Sequence, residues 1–123
     1  MSGEGIVAAA RALVGAPFRL HGRGRDGIDC VGLAAVATGR EPPCAYGLRS
    51  GDVARAERWL REAGLRAVAE GVAGDVALVR PGPMQLHLMI ATGTGFVHAH
   101  AGLGRVVETP GAPLWPVLGW WRI

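Results

Sequence analysis

The sequence predicts an α+β fold in which N-terminal helices pack on an antiparallel β-sheet. Apolar residues recur at helical spacing in the first half of the chain, and from Leu65 onward short β-type runs alternate with turns. Helices followed by a strand meander are typical of this class. The chain has 123 residues, half of them hydrophobic, so we expect a single domain, 1–123, with one core.

Three segments of the first half are predicted to be helical. In the first, residues 5–14, apolar side chains recur every three or four positions. The second begins near Asp29, a good N-cap residue, and is apolar nearly all round, which indicates a central buried helix. The third, residues 52–63, has one apolar and one charged face. Residues 18–27 carry four charged side chains among glycines and are expected at the surface.

The second half is predicted to consist of short strands. Glycine-rich turn signals, such as Gly82-Pro83 and Gly93-Thr94-Gly95, separate the apolar runs. We expect strands at residues 65–69, 75–79, 87–91, 95–100, 105–108 and 114–122.

The charge distribution argues against nucleic acid as a partner. The net charge is +3 and every basic residue is arginine, with a small cluster at Arg19, Arg23 and Arg25. This cluster lacks the dense basic stripe with aromatics that nucleic-acid binding uses. It indicates a solvated loop, or more weakly an attraction to an anionic polymer such as a cell wall. No transmembrane run or secretory signal is visible, so we expect cytoplasmic synthesis and no membrane span.

Cys30 is the most informative residue because it begins the predicted second helix. Helix N-terminal amides and the macrodipole favour an anion, so we expect a lowered pKa for this thiol. The alternative is a buried, inert core cysteine. The other cysteine, Cys44, follows two prolines and is expected to be a small semi-buried side chain. A disulfide between two cysteines in a cytoplasmic chain is not expected.

Histidines on two later strands supply the other parts of a thiol-dependent site. Period-two alternation places His87, Met89 and Ala91 on one strand face, and places His98 and His100 together on one face of the next. Either His98 or His100 can accept from His87 and hold its ring in the productive tautomer. His98 has apolar neighbours and is expected to lie deeper. A nucleophile, a base and a residue that orients the base are the parts of a site for nucleophilic catalysis. The alternative is that each histidine is a solvated or core residue.

A zinc site is the competing interpretation of the same residues. Cys30, His87, His98 and His100 would supply four ligands. The sequence has no His-x-x-x-His helix pair or other close-set ligand pair apart from the two histidines on one strand. We therefore expect no metal and no cofactor. His21 lies in the arginine loop and is expected to be solvated.

Five segments, in this order and spacing, carry a family resemblance. They are Leu13-Val14-Gly15-Ala16-Pro17-Phe18, Asp29-Cys30-Val31-Gly32-Leu33, Gly74-Asp75-Val76-Ala77-Leu78-Val79, His87-Leu88-Met89-Ile90-Ala91-Thr92-Gly93 and Gly95-Phe96-Val97-His98-Ala99. Over about residues 9–107 the chain resembles the NlpC-type cell-wall peptidases, a papain-like cysteine peptidase family. The resemblance implies a papain-like α+β core.

The same resemblance implies roles for individual residues. Cys30 would be the nucleophile, His87 the base and His98 the orienting residue, with a thioester intermediate. The implied substrate is a peptidoglycan stem peptide. Asp29 would pair with a substrate ammonium, or would only cap the helix. Phe18 stands where the family commonly has tyrosine, and Val31 where it has serine, so the usual stem-peptide specificity is expected to change.

The resemblance also implies a setting and leaves two other functions open. Similar single-domain members occur among phage tail and gene-transfer-agent proteins, which implies phage-like tail proteins as partners and a virion or tail particle as location. One alternative is a catalytically weak or inactive tail-assembly or adaptor module that keeps the fold. The other is an acyltransferase or lipid-amide hydrolase on a related papain-like fold, which would need an apolar acyl groove.

Overall fold

The computed structural model describes residues 2–42 and 51–123 and confirms the α+β architecture. Cys44 and the segment that follows it, up to residue 50, lie outside the described residues. The helices are α1 (Gly3–Arg11), α2 (Cys30–Thr38) and α3 (Val53–Glu62). The strands are β1 (Arg23–Gly24), β2 (Gly27–Ile28), β3 (Arg66–Val68), β4 (Val76–Val79), β5 (His87–Ala91), β6 (Gly95–His100), β7 (Arg105–Pro110) and β8 (Val117–Arg122).

Capping side chains fix where the three helices begin. The side chains of Ser2, Asp29 and Asp52 each accept a hydrogen bond from a backbone amide in the first turn of α1, α2 and α3. These bonds satisfy amides that have no partner within the helix. The cap at Ser2 starts α1 two residues before the predicted position, and the helix ends at Arg11 rather than at Val14.

The main sheet has six strands in the order β3-β8-β4-β5-β6-β7, and all neighbours are antiparallel. β5 and β6 have the predicted bounds, whereas β8 starts at Val117, three residues later than predicted. The β1–β2 hairpin in the arginine loop was not predicted. Two strands of two residues each are too short to show a period in the sequence.

The two faces of the sheet have separate apolar clusters. The helices cover one face, where Leu88 and Ile90 of β5 join the larger cluster. Met89 and Ala91 belong to a smaller cluster on the other face, covered in part by Trp115. This division confirms the predicted alternation along β5. Among the described residues, the structure has no helix of the length and apolarity that crossing a membrane requires.

β5 and β6 part from each other towards one end of the sheet. In this described region their ladder contains the pairs Ile90↔Val97 and Ala91↔Phe96 and stops there, whereas β6 and β7 remain paired along six residues. Helix α2 contacts both β5 and β6. The start of β5, where His87 lies, is outside its ladder with β6.

Candidate active site

Cys30 and His87 line the same cavity, which has a volume of about 410 Å³. Cys30 is the first residue of α2 and is 3% exposed. Backbone amide groups of Leu88, Val31 and Cys30 itself lower the pKa of its thiol. Because both residues line this cavity, the fold brings together the helix start and the strand start that the sequence singled out.

His98 is the residue that the structure places against His87. His87 Nε2 lies 3.0 Å from His98 Nδ1, and the two rings are 5.2 Å apart in an edge-on arrangement. His98 is 0% exposed, as its apolar neighbours predicted. Because Nε2 of His87 is engaged by His98, Nδ1 is the nitrogen of His87 that is available to act on a thiol.

His100 makes a different set of contacts, which decides between the two histidines of β6. Its Nδ1 accepts a hydrogen bond from the Leu103 amide at 3.1 Å, so this edge of the ring is engaged by the following turn. His100 nevertheless lines the cavity with Cys30. In its neutral form it therefore carries its proton on Nε2 and offers a hydrogen-bond donor.

Two residues at the site were missed in the sequence. Trp115 packs against the histidine cluster, with its ring 5.5 Å from His87, 5.7 Å from His98 and 5.9 Å from His100. Thr109 Oγ1 lies 3.4 Å from His98 Nε2. Alternation along β7 would have placed Thr109 on one strand face, but its histidine partner depends on the β6–β7 register, which the sequence does not reveal.

Burial keeps both paired histidines neutral. Burial chiefly, together with the neighbouring His98 and His100, lowers the pKa of His87 to about 3. Burial likewise lowers the pKa of His98 to about 4, with a further contribution from His100. An imidazolium in this cluster would be both desolvated and close to other imidazoles, and both effects disfavour the charged form.

The predicted lowering of the Cys30 pKa is wrong for the resting structure. The pKa of this thiol is raised to about 12, chiefly by burial and in smaller part by the Asp29 carboxylate. Backbone hydrogen bonds from Leu88, Val31 and Cys30 act in the opposite direction. The amides at the helix N-terminus therefore lower the pKa of Cys30 as expected, but desolvation of the thiolate raises it by more. The resting site contains a neutral thiol and a neutral imidazole.

Asp29 has a structural position rather than a place on the cavity wall. Its side chain is 0% exposed. Its carboxylate accepts hydrogen bonds from the Gly32 amide at 2.8 Å and from the His21 amide at 2.8 Å, and it pairs with the Arg23 guanidinium at 3.2 Å. Helix capping, one of the two roles expected for Asp29, is confirmed, whereas the pairing with a substrate ammonium stays a prediction. Phe18, by contrast, lines the cavity and is half-buried.

The zinc interpretation finds no support in the described residues. Over residues 2–42 and 51–123, no group of three or more His, Cys, Asp and Glu side chains is arranged to hold a metal ion.

Comparisons by sequence and by structure give different results. A scan against protein-family models finds no match, and a search of curated proteins also finds none. Solved structures do match. NlpC1 from Trichomonas vaginalis is 20% identical with a TM-score of 0.71, and the match covers 98% of this chain and 45% of that one. An NlpC/p60 family protein from Bacillus cereus is 19% identical with a TM-score of 0.71, covering 99% and 40% of the two chains.

A third match spans a domain of similar size to this chain. The NlpC/p60 domain of the peptidoglycan hydrolase SagA is 23% identical with a TM-score of 0.61, and the match covers 89% of this chain and 90% of that one. The helices packed on an antiparallel sheet and the likeness to these structures show a papain-like class of fold. Within that class the chain has the NlpC/p60 fold, as the sequence resemblance predicted. It spans less than half the length of the Trichomonas and Bacillus proteins.

Proposed function

We propose that this protein is an NlpC-type cysteine peptidase or amidase that hydrolyses amide bonds in peptidoglycan stem peptides. The observation that carries the proposal is the juxtaposition of three side chains. Cys30 and His87 share one cavity, and His87 is bonded to the buried His98. The fold adds support, since the similar SagA domain belongs to a peptidoglycan hydrolase.

The proposed reaction proceeds through a thioester. His87 Nδ1 takes the thiol proton as the Cys30 sulfur attacks the amide carbon. The tetrahedral intermediate places negative charge on the former carbonyl oxygen, which backbone amides at the start of α2 stabilise. The C–N bond then breaks, and His87 returns the proton to the leaving amine. Water hydrolyses the thioester in a second attack for which His87 is again the base, and this releases the carboxylic acid and restores the thiol.

The pKa values of the resting site determine when the proton moves. The Cys30 thiol has a pKa raised to about 12 and His87 has a pKa lowered to about 3, both chiefly through burial. A thiolate–imidazolium pair is therefore disfavoured before substrate binds. In the proposed reaction the proton transfer is coupled to the attack on the amide, with His98 accepting from Nε2 of the developing imidazolium.

The cavity walls indicate which part of the peptide enters. Phe18, Leu86 and Trp115 give the cavity aromatic and aliphatic surface. Among the described residues that line it, none is Asp, Glu or Arg. The group next to the scissile amide is therefore proposed to be uncharged, as an alanyl side chain is, and His100 offers a donor for a substrate carbonyl.

A hydrolysis assay with matched cysteine variants tests the proposal. Purified protein is incubated with soluble stem peptides, and new amines and carboxylates are identified by mass spectrometry. Cys30→Ala should abolish cleavage, whereas Cys44→Ser should retain it. Unchanged cleavage by Cys30→Ala would show that the nucleophile is assigned wrongly. N-acyl amino acids in the same assay test the acyltransferase or lipid-amide alternative.

A non-catalytic module is the second candidate, and the state of Cys30 favours it. A thiol that is 3% exposed with a raised pKa has the properties of an inert structural cysteine. This candidate predicts no turnover of any stem peptide, together with binding to a partner that Cys30→Ala leaves unchanged. Phage-like tail proteins are the proposed partners, and co-sedimentation of the protein with tail particles would test that association.

A further inference from the structure

We propose that Thr109 is a positioning residue whose hydroxyl accepts the buried Nε2–H of His98, and that it thereby stabilises the tautomer that keeps the Nδ1 lone pair of His87 available to the thiol. The inference deepens the proposed hydrolase function and rests on it for its catalytic consequence. Thr109 Oγ1 lies 3.4 Å from His98 Nε2. The β6–β7 register pairs Phe96 with Thr109 and His98 with Val107, so Thr109 is the diagonal neighbour of His98 on the same strand face.

Both ring nitrogens of His98 are engaged in the interior of the protein. Nδ1 meets His87 Nε2 at 3.0 Å, Nε2 meets the Thr109 hydroxyl, and the residue is 0% exposed. With its pKa lowered to about 4, His98 is neutral near pH 7 and carries one ring proton. A neutral imidazole donates from one nitrogen and accepts at the other.

Two arrangements of the hydrogen-bonded chain satisfy these contacts. In the first, His87 donates from Nε2 to His98 Nδ1, and His98 donates from Nε2 to the Thr109 oxygen. In the second, every bond is reversed, so Thr109 donates to His98, His98 donates to His87, and His87 carries its proton on Nδ1. Only the first arrangement leaves His87 Nδ1 unprotonated and able to take a proton from Cys30.

The threonine hydroxyl supplies what the first arrangement needs, an acceptor for the buried His98 Nε2–H. Replacing it with a methyl group in Thr109→Val would leave that N–H without a partner. Buried N–H groups without a partner are rarer in proteins than under-satisfied acceptors, so we expect the proton to move to His98 Nδ1 and the chain to reverse. His87 Nδ1 would then be protonated, and the resting enzyme would lack its base.

Imidazole ¹⁵N chemical shifts test the proposal without any substrate. Two-bond ¹H–¹⁵N spectra distinguish the two tautomers of each histidine. The expected result is an Nε2–H tautomer for His98 and for His87 in the wild type and in Thr109→Ser, and an Nδ1–H tautomer for both in Thr109→Val. Thr92→Val, which removes a hydroxyl from the turn after β5, serves as the matched control and should match the wild type.

The kinetic prediction separates positioning from loss of structure. Thr109→Val should lower kcat by about 10- to 100-fold and leave KM nearly unchanged. This factor is the free-energy cost of an unsatisfied buried donor converted into a rate. Thr109→Ser should restore kcat. An Nδ1–H tautomer of His98 in the wild type overturns the proposal, and so does an unchanged tautomer in Thr109→Val. If Thr109→Val does not fold, the wild-type and Thr109→Ser spectra still decide. Absence of hydrolysis by the wild type would refute the proposed function and leave the tautomer result standing.

Discussion

Lowering the pH from 7.5 to 5 is expected to destabilise the fold through two buried histidines. The pKa of His87 is about 3 and that of His98 about 4 in the folded protein, against an ordinary value of 6.5. Below pH 6.5 the unfolded chain therefore binds protons that the folded chain does not bind. Stability is fully present above pH 6.5 and is lost as the pH falls towards the folded pKa values.

The size of the effect at pH 5 depends mainly on the unfolded state. A histidine of pKa 6.5 that stays neutral in the folded protein costs about 2 kcal/mol of stability at pH 5. This figure hardly changes if the folded pKa is 3 or 4, because both lie well below pH 5. Since His87 is partly exposed to the cavity, we expect about 2–4 kcal/mol for the pair, a large share of a small domain's stability of roughly 5–15 kcal/mol.

Urea unfolding followed by circular dichroism measures this effect at each pH. A His87→Gln/His98→Gln double variant serves as the reference, because it retains the carboxylates that also titrate in acid. The wild type should lose about 2–4 kcal/mol more than the variant between pH 7.5 and 5. Equal losses in the two proteins would refute the reasoning, since they would show that the histidines are protonated equally in both states.

Three further outcomes are expected. Iodoacetamide at pH 7 should modify Cys30 at least about a hundredfold more slowly than a free cysteine, because the pKa of Cys30 is raised to about 12. Peptide mass spectrometry of the Cys44→Ser protein measures this rate. A rate equal to that of free cysteine would contradict the burial argument. Asp29→Ala should lower the free energy of unfolding in urea by about 3 kcal/mol, because the cap and the ion pair are lost. Asp29→Asn keeps a capping oxygen and should lower it clearly less. Equal losses in the two variants would argue against the cap. Gly32→Ala should lower the free energy of unfolding by about 1–3 kcal/mol, because the added Cβ would clash with a backbone carbonyl oxygen of the arginine loop. Gly24→Ala is the control and should be close to neutral, because its Cβ would meet nothing within 4 Å.

Local patterns predicted most of the fold. β5 and β6 have the predicted bounds because alternating side chains and flanking turns are readable in the sequence. Asp29 was readable as a capping residue for the same reason, since a cap depends on only four neighbouring positions. The predicted bounds of α1 were wrong at both ends, because the cap at Ser2 starts the helix earlier and the apolar period continues past Arg11, where the helix ends.

The site depended on features that no local pattern contains. Alternation places His98 and His100 on one face, but the place where β5 leaves β6 decides which of them meets His87. Thr109 enters only through the β6–β7 register. The pKa of Cys30 depends on how much water reaches the sulfur, and that is set by the packing of α2 against the sheet.

The Asp29 carboxylate joins two parts of the chain that would otherwise look separable. It is bonded at once to the first turn of α2 and to the arginine loop through His21 and Arg23. Anyone grafting a foreign loop between α1 and α2 must therefore transplant these anchoring partners together with it. A loop of equal length without them would leave an uncompensated buried carboxylate directly before Cys30 in the chain.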